Sequence, residues 1–245
     1  VCIDEKEQTI QDVLENTDVE FYQDFKKQHF SKLPVQSGIE VKSSDDHAKH
    51  AYISKDLSEG GYFYASGGTT GEPKYCFYTY REFSKVAELL AHSYKHNGLR
   101  AGDFVANLFM AGNMWSSFNV VQIALEKCQS VQLPIGGNCS ADEFLTYMTK
   151  FKVKNIFGLP SLLISLAEST PGLMIDKIFY AGERFSETAA QIIAKNWNNP
   201  TLISAGYASV DIGPIGYQDE TCTGTEHILF SKYVHLEVLD GEGVI

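Results

Sequence analysis

The 245-residue sequence lacks several features that would fix its class at once. No apolar run approaches the roughly 20 residues a membrane helix requires, so a membrane-spanning role is not expected. The opening VCIDEKEQTI is acidic and polar, unlike a secretory leader. Basic residues are outnumbered, 20 Lys plus Arg against 31 Asp plus Glu, for a net charge of −11. They form no cluster of the kind a nucleic-acid surface needs, which ranks that partner low. Five scattered cysteines make no C-x-x-C pair, and their number is odd; they read as reduced thiols of a cytoplasmic protein. No G-x-S-x-G turn is present to anchor a serine hydrolase. Internal repeats and low-complexity linkers are absent too. What remains is a chain 44% hydrophobic and 12% aromatic, enough for a sizeable core and unlike a disordered composition.

Hydrophobic spacing divides the chain. Ile10, Val13 and Leu14, then Phe21, Phe25 and Phe30, predict N-terminal helices within 1–60. From 61 to 215 strands and helices follow one another. GYFYAS and KYCFYTY read as two short strands around a loop. A helix is expected from Glu82 to Asn97, stopped by Gly98. Beyond it, strands at 103–109, 130–134, 153–157, 174–180 and 201–207 interleave with helices at 114–128, 140–151, 160–168 and 186–197. Ser140 and Glu143 form a capping box for the second of these helices, and Pro160 suits the first position of the third. Five strands with four intervening helices predict an α/β fold with a mostly parallel sheet and flanking helices. Residues 216–245 return to strand pattern and form a β-rich C-terminal portion. On parallel sheets ligands sit beyond the carboxyl ends of the strands. That rule places MAGN, IGGN, GLPS, AGERF and GYASVD on the working edge.

The segment YASGGTTGEPKY, 64–75, is expensive in backbone entropy. It is either a hairpin loop with glycines at positive φ or a backbone wrapped around an anion. It is not a Walker A loop. Glu72 and Pro73 separate Gly71 from Lys74, and a strand rather than a helix follows. Its glycines let backbone N–H groups converge on an anion, Ser66, Thr69 and Thr70 add hydroxyls, and Lys74 adds a point charge suited to phosphate. The combination favours a phosphate grip.

With these residues in place, the sequence resembles the adenylate-forming (AMP-binding) enzymes, and in particular the phenylacetate–CoA ligase branch. The loop is similar to that family's S-S-G-T-T-G-x-P-K signature, with Gly67 in place of the second serine. YAGERFSE (180–187) resembles its adenine-contacting G-G-E-P-L-S segment, GYASVD (206–211) its Y-G-x-T-E motif, and GLPSLL its T-P-S-Y-L. ENTDVEFYQDF, LPV and GTEHILFSKYVHLEVLD resemble further segments, so the likeness spans nearly the whole chain. The resemblance implies ATP-dependent activation of an aryl or small-acyl carboxylic acid to an acyl-adenylate, then transfer to a thiol such as coenzyme A. It implies that Ser66, Gly67, Gly68, Thr69, Thr70, Gly71 and Lys74 hold the phosphates, with Thr70, Lys74 and Asp211 catalytic. Tyr207 and Ala208 would lie at the adenine, Gly182 and Glu183 would line the base pocket, and Asp211 would bind Mg²⁺. Asn113, Trp115, Gly136 and Gly137 are expected to flank the acid, in a region whose bulk suits an aromatic or small acyl group. An aromatic and Met cluster such as Phe109, Met110, Met114 and Trp115 is also ordinary core.

The departures favour a divergent member. Val210 stands where the family has a hydroxyl residue at the α-phosphate, Ala208 replaces glycine and Arg184 replaces proline. The family's ribose-binding Asp and its lid lysine lie beyond the last strands. The chain is therefore expected to be a large-domain fragment without the C-terminal lid, with little turnover of its own. Alternatives are a degenerate, non-catalytic nucleotide-binding or interaction module, and acyl transfer to a carrier protein. His92 and His96, at i and i+4, read as imidazoles at the negative end of a helix dipole rather than a metal pair. Cys222, Glu226, His227 and His235 have no recognised zinc spacing.

Overall fold

The computed structural model describes residues 57–66, 73, 75–236, 239–240 and 243–244. The expected N-terminal helices, and Gly67, Gly68, Thr69, Thr70, Gly71 and Lys74 of the glycine loop, lie outside the described residues. The chain divides into two compact units, Leu57–Ile228 and the remainder. In the second unit, a turn has Phe230 O accepting from Tyr233 N and Val234 N at 2.8 and 2.9 Å. Further on, β11 (Leu239–Asp240) and β12 (Gly243–Val244) form an antiparallel pair.

The first unit opens with an antiparallel hairpin, β1 (Gly61–Ala65) and β2 (Tyr75–Thr79), paired from Gly61 with Thr79 to Ala65 with Tyr75. The glycine loop is its connection. Helix α1 (Tyr80–His96) follows directly, begun by a capping box in which Thr79 and Glu82 bond each other's backbone. Its apolar stripe Phe83, Ala87, Leu90, Ala91 and Tyr94 is buried.

Five parallel strands then form the central sheet: β3 (Phe104–Asn107), β4 (Val131–Leu133), β5 (Asn155–Gly158), β6 (Lys177–Tyr180) and β7 (Thr201–Ser204). Their order is β4-β3-β5-β6-β7. Four helices connect them: α2 (Ser117–Lys127), α3 (Ala141–Phe151), α4 (Pro160–Ser169) and α5 (Glu187–Asn196). The expected α/β fold with a mostly parallel sheet and flanking helices is the observed one, with antiparallel strands added. Because β4 lies on one side of β3 and β5 on the other, the winding reverses between β3 and β5. A crevice for a ligand forms at such a point, beyond the carboxyl ends.

Alternation along each strand divides the core. Val105, Phe157 and Phe179 face one cluster, completed by α1 and by Val120, Val121, Ala124 and Leu125 of α2. Ala106, Ile156 and Ile178 face the other, with Phe144 and Met148 of α3, Leu163 and Leu166 of α4, and Ile193 with Trp197 at α5. Each fully buried Leu, Ile or Phe side chain contributes about 1.5–3 kcal/mol. Phe157 and Phe179 stack at 4.4 Å with planes 6° apart, and Tyr94 meets both edge-on.

Several boundaries differ from the sequence expectation for identifiable reasons. The helix expected from 114 starts at Ser117, because Gly112, Asn113 and Met114 hold φ of +91°, +50° and +57°. The strand expected over 201–207 ends at Ser204. Gly206, at φ +153°, turns the chain into β8 (Tyr207–Ser209), which belongs to a separate sheet. In that sheet β9 (Gly213–Tyr217) lies between β8 and β10 (Ile228–Leu229).

Candidate active site at the carboxyl edge

The loops after β3, β5, β6 and β7 carry Asn113 and Trp115, Pro160 and Ser161, Gly182 and Glu183, and Tyr207 to Asp211, all on the carboxyl edge of the sheet. Hydrogen bonds fasten the β5 loop to the β6 loop, and the β3 and β7 loops to the hairpin of β1 and β2.

The β3 loop is organised by Asn107, which is fully buried. Its side-chain amide donates to Phe118 O at 3.1 Å, its side-chain oxygen accepts from Phe109 N at 3.2 Å, and its carbonyl accepts from Gly136 N at 2.9 Å. Gly136 and Gly137 are thereby held beside the β3 loop. A Cβ on Gly137 would stand 3.0 Å from Leu108 O, so a larger residue here would press on the backbone of Leu108. Past the turn, Met114 O accepts from Ala65 N at 2.9 Å. The loop bearing Asn113 and Trp115 is therefore fastened to the last residue of β1, one position before Ser66. Asn113 and Met114 are exposed and Trp115 is half-buried.

Two phenols secure the hairpin that presents the glycine loop. Tyr64 Oη accepts from Asn119 Nδ2 of α2 at 3.2 Å, and burial pushes its phenol up to about 12. Tyr78 Oη donates to Val210 O at 2.7 Å. The side chain of Val210 packs against the core cluster under β1 and α1. The apolar residue at 210 thus has a packing role, and its carbonyl has a partner on β2.

On the opposite side, the Glu183 carboxylate accepts from Ser161 N at 2.9 Å and from Ser161 Oγ at 2.8 Å. Ser161 is in the first turn of α4, whose N-cap, Leu159, has no side chain able to cap it. Glu183 supplies the cap from the neighbouring loop, where an anion is favoured by the helix dipole. Gly182 has φ +82°, and a Cβ there would lie 2.8 Å from Leu159 Cδ2. The GLPS and AGERF loops are clamped together by these contacts.

Tyr207 is 55% exposed, with its ring 5.7 Å from that of His227. Ala208 is exposed beside it. Asp211 is exposed and accepts from Ser209 Oγ. An exposed carboxylate is a hard oxygen donor of the type Mg²⁺ prefers. Among the described residues no group of three or more His, Cys, Asp or Glu side chains is placed to hold a metal. His96 instead meets Asp219 at 3.3 Å, and Glu226 accepts from Thr223 N and Oγ1. Cys128 is buried, and its thiol is pushed up to about 11 by that burial, as expected of an inert thiol. No described helix is long and apolar enough to cross a membrane.

Asn107, Asn119 and Tyr78, and the pairing of Ser161 with Glu183, belong to no motif of the sequence. The alternation of tyrosines in GYFYA and YCFYT is the one available signal for the phenol contacts.

No protein-family model matches the chain, and no curated protein matches it. Its fold does match solved structures. A 2-hydroxyisobutyryl-CoA ligase in complex with 2-HIB-AMP and CoA, in the thioesterification state, superposes with a TM-score of 0.73 at 18% identity. That match covers 86% of this chain and 46% of the ligase. The same ligase in its postadenylation state gives 0.63 at 16% identity, covering 76% and 43%. ATP-bound MatB from Rhodopseudomonas palustris gives 0.51 at 12% identity, covering 66% and 31%. The chain thus shares its fold with part of these proteins, and spans less than half the length of each.

Proposed function

We propose that this chain is the nucleotide-binding portion of an ATP-dependent, AMP-forming acid–thiol ligase. The observation that carries the reading is the order of the loops. The motif-bearing segments 110–115, 158–161, 180–187 and 206–211 follow in turn the carboxyl ends of β3, β5, β6 and β7, in a fold shared with such ligases.

In this reading Ser66 through Gly71 and Lys74 bind the β- and γ-phosphates of ATP, with Thr70 and Lys74 acting on the departing pyrophosphate. Tyr207 and Ala208 lie against adenine, and Gly182 and Glu183, on the loop clamped by the Glu183–Ser161 bonds, line the base pocket. Asp211 would hold Mg²⁺, which supplies charge neutralisation when bound. Asn113, Trp115, Gly136 and Gly137 flank an aryl or small-acyl carboxylate. That carboxylate attacks the α-phosphorus and pyrophosphate leaves; a thiol, of coenzyme A or a carrier protein, then attacks the acyl carbon of the acyl-adenylate, the acyl C–O bond breaks and AMP leaves. Positioning and charge stabilisation do most of the catalytic work in such a transfer. We further propose the division into an N-terminal helical segment (1–60), a nucleotide-binding core (61–215) and a β-rich segment (216–245), with these residues alone turning over little.

Val210 favours a second reading, a nucleotide-binding module without catalysis, because its side chain packs into the core where the resembling family offers a hydroxyl.

The test is acid-dependent exchange of labelled pyrophosphate into ATP by the full-length natural protein, with ATP titrated calorimetrically into the 245-residue chain. Exchange with at least one aryl or small acid is expected. Thr70→Ala and Lys74→Ala should each weaken ATP binding, Lys74→Ala by about 10- to 100-fold, the value of a lost charge-assisted contact. ATP binding without exchange across a broad acid panel selects the non-catalytic module. Unchanged affinity in both variants removes the loop from the mechanism.

A further inference from the structure

His227 lies far from the glycine loop in sequence, yet its ring is the neighbour of the Tyr207 ring, at 5.7 Å and 45°. Both ring nitrogens are engaged. Nδ1 is 2.9 Å from Thr225 O, which can only accept, so Nδ1 carries a proton. Nε2 is 2.9 Å from Ser204 Oγ. In the neutral ring Nε2 accepts from that hydroxyl, which fixes both the tautomer and the plane of the imidazole.

Ser204 is the last residue of β7, three positions before Tyr207. It is held twice. Its backbone N donates to Gln218 Oε1 at 2.9 Å, and Gln218 Nε2 donates to Gly224 O and Glu226 O, each at 3.0 Å. Gln218 is buried, and these three bonds fasten the 222–227 loop to the end of β7. Thr223 and Glu226 close that loop internally. The base of Tyr207 and the ring against it therefore share one anchor, Ser204. Tyr207 itself is exposed, and an exposed aromatic ring left without a neighbour on one side samples several rotamers.

The geometry points to His227 as a positioning residue for nucleobase recognition. Locked by Ser204 and Thr225, it holds the Tyr207 ring in one orientation, so that a purine can stack on Tyr207 without first ordering it. The inference deepens the proposed function and rests on its assignment of Tyr207 to the adenine. Its role in this inference is confined to the base, so it predicts an effect on base binding that is separable from phosphate binding.

The test uses the 245-residue chain with ATP and inorganic tripolyphosphate as probes, in wild type, His227→Ala, His227→Phe and Ser204→Ala. His227→Ala should weaken ATP by about tenfold and leave tripolyphosphate within about twofold, the range expected from losing an aromatic contact. His227→Phe, which keeps a ring beside Tyr207, should recover most of the ATP affinity. Ser204→Ala, which unlocks the ring without removing it, should fall between and stands in if His227→Ala does not fold. Equal losses of ATP and tripolyphosphate, or ATP binding unchanged in His227→Ala, overturn the inference while leaving the proposed function standing. A folded wild type that binds tripolyphosphate but not ATP removes the adenine assignment and this inference with it. Nitrogen-15 imidazole spectra add a ligand-free check. A proton on Nε2 alone, with Nδ1 bare, contradicts the lock.

Discussion

The two edges of the central sheet are built from different chemistry. At the amino edge, charged groups and helix ends meet: Lys154 pairs with Asp176 at 3.4 Å, and Lys177 Nζ donates to Asn97 O, past the end of α1, at 2.9 Å. Beneath them Trp197 is fully buried and donates to Thr170 O at 3.1 Å. At the carboxyl edge the fastenings are hydroxyls, amides and backbone carbonyls, with Glu183 and Asp211 as carboxylates hydrogen-bonded by neighbouring serines. The amino edge holds the layers together, whereas the carboxyl edge orients loops. Under the proposed function this edge receives an anion, and glycine backbones and hydroxyls supply neutral donors for it.

Three substitutions press on that contrast. The largest effect is expected at the amino edge. Trp197→Ala removes a buried indole and its hydrogen bond, and should cost about 3–5 kcal/mol in a urea unfolding titration. Next, Glu183→Ala at the carboxyl edge should cost only about 1 kcal/mol, the scale of a lost helix cap, while weakening ATP binding measurably. A loss of stability as large as that of Trp197→Ala, with ATP affinity intact, would erase the distinction between the edges. The smallest effect belongs to Lys154→Ala. Its pair with Asp176 is solvent-exposed, so stability should move by less than about 0.5 kcal/mol and ATP affinity not at all.

The contrast also explains what could be read from the sequence. Period-2 and helical patterns report burial, so all five parallel strands and the four helices between them were legible. So was the capping box at Ser140, because both of its residues are local. The same signal at Thr79 and Glu82 sets the true start of α1 two residues before the expected Glu82. The carboxyl edge was legible where glycines and motif residues cluster, but not in its partnerships. Tyr78 with Val210 spans 132 residues, Asn119 with Tyr64 spans 55, and Ser161 with Glu183 spans 22. No local periodicity encodes such pairs; they follow from the strand order. The break at Gly206 had a local signal in the glycine itself, but the strand-like run TLISAGY masks it.

The bond from Tyr78 to the Val210 carbonyl has a consequence for anyone who would rebuild this protein. It joins the strand leaving the glycine loop to the turn that carries Asp211. The segment 207–211 is therefore not a portable cassette. Exchanging it for a homologous stretch, to restore a hydroxyl at 210 for instance, imports a backbone that must still meet the phenol at 78. Redesign of either side has to be done as a pair.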